Sequence, residues 1–156
     1  MDDEILGKLF RALYKHGVRY ALFGGLAMVA HRLARATDDV DLFLAEGDDN
    51  VQAVIAALHE TFEGDSGVDE ITAADLNEYG LIRFGVRDYD MVVDLTQRIG
   101  EVFRYDNLEI QEVEMYDCPV TVVSPRTLVL MKRDTRRPQD VADVERLRLH
   151  FQIEDI

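Results

Sequence analysis

The sequence predicts a mixed α/β fold in which one β-sheet is flanked by helices. In the first half of the chain, segments with helical spacing of apolar residues alternate with short β-rich segments. In the second half, strand-like segments follow one another directly, and two helical segments come last. Consecutive strands indicate antiparallel hairpins, so the sheet is predicted to be mixed and not purely doubly wound.

The beginning of the chain has a helix–strand–helix pattern. Apolar residues recur at helical spacing over residues 2–16, and Gly17 stands where glycine commonly ends a helix. Residues 19–23 form a β-rich segment that stops at Gly24 and Gly25. A second helix is predicted directly after them, and its apolar face consists of Leu26, Val29, Ala30 and Leu33.

A second strand, a third helix and a loop are predicted next. Residues 39–44 have the composition of a strand, and Asp48 or Asp49 is expected to cap a helix that extends to Phe62. Residues 63–79 are polar and acidic, and we predict a loop with one or two irregular turns there.

Two hairpins are predicted in the second half of the chain. Residues 81–86 and 91–95 are strand-like and flank a polar turn. Residues 108–116 and 119–123 form a second predicted strand pair, with Cys118-Pro119 at its turn.

Two helices close the predicted pattern. Ser124 and Pro125 open a short helix that ends near Lys132, and Pro138 starts the last one, because proline is favoured in the first turn of a helix. The chain has 156 residues, and 47% of them are hydrophobic. This length is enough to bury one core and too short for two ordinary domains. Because it contains no repeat and no linker-like segment, residues 1–156 are predicted to form a single domain.

The composition excludes several classes of protein. No apolar segment approaches the ~20 residues that a membrane span needs, so no membrane association is predicted. The N-terminus is acidic, whereas a secretory signal begins basic and then becomes apolar. Cys118 is the only cysteine, so no intrachain disulfide can form. Together these features predict a cytoplasmic protein.

The formal net charge is −14, from 31 acidic and 17 basic residues. Domains that hold nucleic acid by bulk electrostatics are usually basic, so broad electrostatic binding of nucleic acid is not predicted. Two local basic clusters stand out nevertheless, and each could either neutralise phosphate charge or form a solvated helix end. The clusters are Arg19, Arg32 and Arg35, and Lys132, Arg133, Arg136 and Arg137.

The first candidate for chemistry is the pair Gly24 and Gly25. A strand ends there and a helix begins at once, so the backbone bends sharply and a ligand can approach the main chain. Unpaired N–H groups at the start of a helix suit a phosphate. The alternative is a tight strand-to-helix turn that binds no ligand.

The second candidate is the pair Asp39 and Asp41. Residues two apart on a strand point to the same face, and the apolar Val40 and Leu42 assign the opposite face to the core. Two neighbouring carboxylates repel each other unless a cation lies between them. The pair therefore predicts a cation site, and the alternative is two ordinary surface acids on an exposed sheet edge.

The third candidate is Asp94, which interrupts the apolar segment 91–95. An unpaired buried charge is costly, so its side chain should be solvated or bound to a metal ion. If it converges on Asp39 and Asp41, the three would build an oxygen-rich site of the kind that Mg²⁺ prefers. The alternative is that Asp94 points outward at the end of a strand.

Taken in order, these elements resemble the signature of the nucleotidyltransferase-fold superfamily, the DNA polymerase β-like group. That signature is an apolar residue followed by Gly-Gly or Gly-Ser, then Asp-apolar-Asp, then a third Asp on a strand. Here the three elements are Phe23-Gly24-Gly25, Asp39-Val40-Asp41 and Asp94. The C-terminal part resembles the AbiEii/AbiGii-type toxins, whose Ser-led helix, Lys and Arg-Pro-x-Asp-x-x-Asp pattern match residues 124–132 and 137–143.

The resemblance implies a nucleotidyltransferase-like mixed sheet and a reaction that moves an NMP from an NTP to an acceptor hydroxyl, with Mg²⁺ or Mn²⁺ as cofactor. It implies that Asp39 and Asp41 hold the metal ion that bridges the triphosphate. Asp94 would complete a second metal site and help to deprotonate the acceptor. The acceptor stays open at this point, since tRNA, a protein side chain and a small molecule all fit.

The resemblance also implies how the triphosphate is held. The backbone at Gly24 and Gly25 would cradle the β- and γ-phosphates, and Lys132 would lie near the triphosphate with Asp140 as its orienting partner. Many relatives have serine where this chain has Gly25, so backbone N–H groups would replace the serine hydroxyl here.

Two other interpretations stay open beside the enzyme. The chain could be a catalytically inactive nucleotidyltransferase-like module that binds a nucleotide or a partner protein. In a toxin–antitoxin setting, a cognate antitoxin would mask the active face. The chain could also be a plain α/β scaffold whose aspartates have no shared role.

Overall fold

The computed structural model describes residues 2–154 and 156, and it confirms the predicted mixed α/β class. Within these residues there are six α-helices, a six-stranded sheet and a separate two-stranded ribbon. Helices α1 to α6 span Asp3–Lys15, Gly24–Ala30, Asp48–Thr61, Ala73–Tyr79, Pro125–Lys132 and Pro138–Phe151. Strands β1 to β8 span Tyr20–Phe23, Asp39–Leu44, Leu81–Gly85, Val92–Thr96, Arg98–Ile99, Phe103–Arg104, Ile110–Met115 and Cys118–Val123.

The main sheet has the strand order β3-β4-β2-β1-β8-β7. Its hairpin pairs β3–β4 and β7–β8 are antiparallel, as is β1–β2, whereas β2–β4 and β1–β8 are parallel. The sheet is therefore mixed, as the run of consecutive strands predicts. None of the described helices is long and apolar enough to cross a membrane.

Helix α1 buries the apolar face that the sequence predicts. Asp2 caps it by accepting hydrogen bonds from the backbone N–H groups of Glu4 and Ile5, and Gly17 follows it with a φ of 65°. The helix packs against α3 and β8. The side chains on its buried face, none more than 5% exposed, are Ile5, Leu6, Leu9, Phe10 and Leu13.

The central strand β2 separates the core from the polar face of the sheet. Val40 and Leu42 are fully buried, and the alternation of a strand places Asp39 and Asp41 on the opposite face, where both are partly exposed. Burial of the apolar residues thus fixes which way the two carboxylates point.

The prediction of a loop over residues 63–79 is wrong. That segment contains a 3₁₀ turn, Ser66–Glu70, and the helix α4. Thr72 caps α4 by accepting a hydrogen bond from the N–H of Asp75, and Gly80 ends it with a φ of 74°. Leu76 is fully buried. One buried leucine and two well-placed caps stabilise a helix in a segment that is otherwise polar.

The turn of the second hairpin lies two residues earlier than predicted. Tyr116 and Asp117 form it, both with positive φ, and Cys118 already belongs to β8, where it pairs with Met115. The short ribbon of β5 and β6 was not predicted at all.

Two predicted helix details also need correction. The N-cap of α3 is Gly47, which makes no side-chain capping bond, so neither Asp48 nor Asp49 caps it. Helix α2 ends at Ala30, and Arg32 adopts a φ of 67°, which leaves Leu33 outside the helix, although it is only 8% exposed.

Candidate active site

The turn between β1 and α2 lies directly beside Asp41. Gly24 has a φ of 69°, a conformation that side chains with a Cβ rarely adopt, and α2 begins at that residue. A Cβ placed on Gly24 would overlap Oδ2 of Asp41. Phe23 pairs with Asp41 across β1 and β2. Glycine is thus required at position 24 both for the backbone conformation and for the close approach of this carboxylate.

The structure brings together the three aspartates that the sequence singled out. Asp41 on β2 lies directly opposite Asp94 on the parallel strand β4, and Asp39 lies two residues away on the same face. All three line one cavity of about 350 Å³, together with Gly24 and Gly25. We call Asp39, Asp41 and Asp94 the carboxylate group. The alternative in which Asp94 points outward is wrong, because it is 6% exposed.

The carboxylate group is electrostatically crowded. Burial, and after it the nearby charges of Asp94 and Asp39, raise the pKa of Asp41 to about 7. The charge of Lys132 acts the other way and lowers the pKa of Asp41. The arrangement is therefore one that additional positive charge stabilises.

Asp94 already has a cationic partner, which the sequence analysis missed. Arg83 stands directly opposite Asp94 in the antiparallel pair of β3 and β4. Its guanidinium donates two hydrogen bonds to the carboxylate, from Nε to Oδ1 and from Nη2 to Oδ2, each 3.0 Å long. This two-pronged contact is the strong form of an Arg–carboxylate pair.

Lys132 is buried between two aspartates of α6. Its Nζ lies 3.1 Å from Oδ1 of Asp140 and 3.0 Å from Oδ2 of Asp143, and the residue is only 7% exposed. The interpretation of Lys132 as part of a solvated helix end is therefore wrong. Asp140 contacts Lys132 as predicted, whereas the resemblance of residues 137–143 includes Asp143 without predicting it as a site residue.

Two arginines complete this network. Nε of Arg35 lies 3.2 Å from Oδ2 of Asp143, and Nε of Arg137 lies 2.8 Å from Oδ2 of Asp140. Burial alone would raise the pKa of Asp140, but hydrogen bonds from Thr135 and from the neighbouring cations lower it overall. We call Arg35, Lys132 and Arg137 the cation group; all three line the same cavity as the carboxylate group.

The other predicted basic residues do not belong to this cavity. Its described lining does not include Arg19 and Arg32, or Arg133 and Arg136. Each of the two basic clusters seen in the sequence thus contributes only part of its members. Folding selects Arg35 from one cluster and Lys132 and Arg137 from the other.

The carboxylate group has the donors that Mg²⁺ or Mn²⁺ requires. Its ligands would all be oxygen atoms, and a divalent ion would relieve the repulsion that, together with the larger effect of burial, raises the pKa of Asp41. As they stand, no three His, Cys, Asp or Glu side chains in the described part of the chain form a ready metal-binding cluster. Both oxygens of Asp94 accept hydrogen bonds from the guanidinium of Arg83. The residues therefore fit a metal ion if Arg83 releases Asp94.

Three solved structures share this fold. The lincosamide antibiotic adenylyltransferase LnuA, in its lincomycin-bound form, is 14% identical, with a TM-score of 0.60 over 95% of this chain and 97% of that one. ANT(2")-Ia in complex with adenylyl-2"-tobramycin is 13% identical, with a TM-score of 0.57 over 95% and 88%. An antigenic nucleotidyltransferase-like protein from Paracoccidioides brasiliensis is 15% identical, with a TM-score of 0.52 over 93% and 74%. At these identities the likeness establishes the fold alone.

Comparison with curated protein sequences finds no match. The match to a protein family is extensive, however, because it covers residues 8–151 and so includes every member of the carboxylate group and the cation group. That family is described as "Nucleotidyl transferase AbiEii toxin, Type IV TA system". The chain therefore belongs to the AbiEii nucleotidyl transferase toxin family of type IV toxin–antitoxin systems.

Proposed function

We propose that the chain is a Mg²⁺- or Mn²⁺-dependent nucleotidyltransferase that moves an NMP from an NTP to an acceptor hydroxyl. One observation carries this proposal: the cavity is lined by carboxylates on β2 and β4 and by cations from the α2–β2 connection and the last two helices. Such a cavity suits a metal-bound triphosphate, which presents positive charge to the carboxylates and negative charge to the cations. The residues involved belong to one sheet and its helices, which supports the prediction that residues 1–156 form a single domain.

The cation group would hold the triphosphate. The ammonium of Lys132 has three N–H donors, and Asp140 and Asp143 accept hydrogen bonds from it at two positions. One donor is then left for a phosphate oxygen, and the two aspartates orient it. Backbone N–H groups at Gly24 and Gly25 would bind the β- and γ-phosphates, because the turn leaves no side chain between the main chain and the cavity.

The carboxylate group would organise the reaction. Asp39 and Asp41 would hold the metal ion, with Asp94 as a ligand of a second ion. A divalent ion supplies charge that stabilises the phosphates as charge builds up on the leaving group. The acceptor oxygen forms a bond to the α-phosphorus on the side opposite the leaving pyrophosphate, which departs with the electron pair of the broken P–O bond. Asp94 would take the proton of the acceptor hydroxyl.

The acceptor and the partner are proposed only by class. The acceptor is tRNA, a protein side chain or a small molecule; lincomycin and a tobramycin adduct occur in the two antibiotic-related structures of similar fold. A cognate antitoxin would restrain the toxin, as membership of a toxin–antitoxin family suggests. Since NTPs are made and used in the cytoplasm, we propose that the chain acts there.

A second candidate function is supported by a different observation. Asp94 is held by Arg83, and the described residues form no ready three-ligand metal cluster. A chain that stayed in this state would bind a nucleotide or a partner without catalysing transfer. It would then be a nucleotidyltransferase-like binding module.

Label transfer separates the two candidates. The protein is incubated with Mg²⁺, each of the four labelled NTPs in turn, and either total RNA or a cell lysate. We expect label on an acceptor with at least one NTP, and no label with the Asp41→Asn variant. Asp38→Asn is the matched control, because Asp38 carries the same side chain three residues before Asp41, is exposed and does not line the cavity. Equal transfer by Asp41→Asn and wild type would remove the proposed role of Asp41, and no transfer by wild type would favour the binding module.

A further inference from the structure

Among the described residues, the ion pair between Arg83 and Asp94 is the salt bridge that joins a cation to the carboxylate group. Both oxygens of the Asp94 carboxylate accept hydrogen bonds from one guanidinium. The Asp94 side chain is 9% exposed, whereas the Arg83 side chain is 64% exposed. A buried carboxylate of the proposed metal site is thus covered by a cation that is largely in solvent.

The contact is not needed to hold the two strands together. β3 and β4 already pair over five residues, from Leu81 opposite Thr96 to Gly85 opposite Val92. Backbone hydrogen bonds of that ladder fix the register whether or not the side chains meet. The two neighbours of Arg83 on its own face of β3, Leu81 and Gly85, are exposed and leave room for the side chain to move.

Lys132 of the cation group is held more firmly than Arg83. Lys132 is 7% exposed and is held by two carboxylates from α6, so it has no room to withdraw. Arg83 has one carboxylate partner among the described residues and lies on an edge strand. The other cations around the cavity pair with Asp140 and Asp143 instead. Arg83 is therefore the cation best placed to exchange its position with an ion that binds the carboxylate group.

We propose that Arg83 is a positioning residue that occupies the Asp94 carboxylate as a stand-in cation in the metal-free protein and must swing away before Asp94 can bind a metal ion. This inference rests on the proposed function, because it assumes that Asp94 is a metal ligand. It predicts that Arg83 competes with the metal ion for the same two oxygens. Removal of Arg83 should then strengthen metal binding, although it removes a favourable contact from the protein.

The test measures Mn²⁺ affinity of the nucleotide-free protein by titration calorimetry. Arg83→Gln should bind Mn²⁺ about fivefold more tightly than wild type, which corresponds to the upper end of the range for an ion pair of this exposure. Arg87→Gln is the matched control, because Arg87 lies in the same hairpin, carries the same charge and contacts Ser66 outside the cavity. It should change the affinity less than about twofold, the effect of a more distant, screened charge.

Two further variants locate the effect. The Arg83→Gln/Asp94→Asn double variant should lose the gain, since the contested carboxylate is then absent. Arg83→Lys should bind Mn²⁺ with an affinity between those of wild type and Arg83→Gln, because an ammonium can still occupy one oxygen of Asp94. This variant also serves if Arg83→Gln does not fold, which circular dichroism checks for each protein.

Several results would overturn the inference. These are unchanged or weaker Mn²⁺ binding in Arg83→Gln, an equal gain in Arg87→Gln, or a gain that persists without the Asp94 carboxylate. An Arg83→Lys variant that binds as tightly as Arg83→Gln would do the same. Label transfer by wild type tests the proposed function separately: transfer with unchanged Mn²⁺ affinity in Arg83→Gln would overturn this inference alone. A gain in affinity without any transfer would leave the metal competition in place and remove the transferase.

Discussion

The carboxylate of Asp41 occupies the space that a Cβ on Gly24 would need. This relationship joins the two motifs of the first third of the chain, because the glycine turn can lie against the aspartate strand only if position 24 has no side chain.

Gly24→Ala should displace Asp41 and abolish nucleotide binding. The alanine would have to adopt a φ near 69°, which costs about 1–2 kcal/mol, and would also overlap the carboxylate. Gly17→Ala is the control, because Gly17 has a φ of 65° and open space around its Cβ position. Thermal unfolding and NTP titration of both variants check this. Equal losses of stability and of NTP affinity in the two variants would mean that backbone strain alone matters and that the contact with Asp41 does not.

Asp41→Asn should change the pH dependence of stability. In the folded protein the pKa of Asp41 is raised from 3.8 to about 7, mainly by burial and then by Asp94 and Asp39. The folded state therefore keeps a proton that the unfolded state loses first. The stabilisation of the folded state by this proton on Asp41 is complete below pH 3.8 and is lost as the pH rises through about 7.

Melting temperatures of the metal-free protein from pH 5 to pH 8 test this sign. Wild type should lose stability relative to Asp41→Asn as the pH rises, so the variant should be at least as stable as wild type at pH 8. Asp38→Asn should follow the wild-type profile. A large loss of stability in Asp41→Asn at pH 8 would identify Asp41 as a structural hydrogen-bonding residue instead.

Lys132→Ala should weaken both NTP binding and the fold. Its removal leaves Asp140 and Asp143 buried without their shared cation, and breaking a buried pair in this way costs roughly 3–5 kcal/mol. NTP affinity should fall roughly ten- to a hundredfold, from loss of a charge-assisted contact. Lys132→Arg should restore stability more than affinity, because a planar fork does not replace a compact ammonium.

Arg133→Ala is the control for Lys132. Arg133 is the next residue, has a partly exposed side chain and pairs with the exposed Asp134 outside the cavity. Its removal should leave both unfolding and NTP titration close to wild type. If Lys132→Ala binds NTP as well as Arg133→Ala does, Lys132 only stabilises the start of α6.

Metal and nucleotide together should raise the melting temperature. A ligand at about a hundred times its Kd stabilises the native state by about 2.7 kcal/mol, or about 5 °C or more for a chain of this size. The Asp39→Asn/Asp41→Asn double variant should lose this response in Mg²⁺ or Mn²⁺ with an NTP. A full response in the double variant would place the metal ion elsewhere.

The sequence predicts those parts of the site that depend on short-range patterns. Gly24 is identifiable because a strand ends there, and the spacing of Asp39 and Asp41 places them on one face. The resemblance of the C-terminal part to the AbiEii/AbiGii-type toxins indicates Lys132 and Asp140. The structure then brings all of these residues to one cavity wall.

Contacts between distant segments could not be predicted in the same way. Arg35 meets Asp143 across 108 positions, and no local pattern indicates that pairing. The partner of Asp94 did have a signal, because a hairpin with its turn at residues 87–90 places Arg83 directly opposite Asp94. The sequence also contains a signal for Asp143, because it lies one helical turn after Asp140 and so on the same face of the last helix.

The central claim is that the chain transfers a nucleotide, and the position of the label tests it most directly. With an NTP labelled on the α-phosphate, the account predicts label on the acceptor and unlabelled pyrophosphate in solution. With the same NTP labelled on the γ-phosphate, it predicts labelled pyrophosphate and no label on the acceptor. Label transferred from the γ-phosphate, or no transfer from any NTP under either labelling, would contradict it.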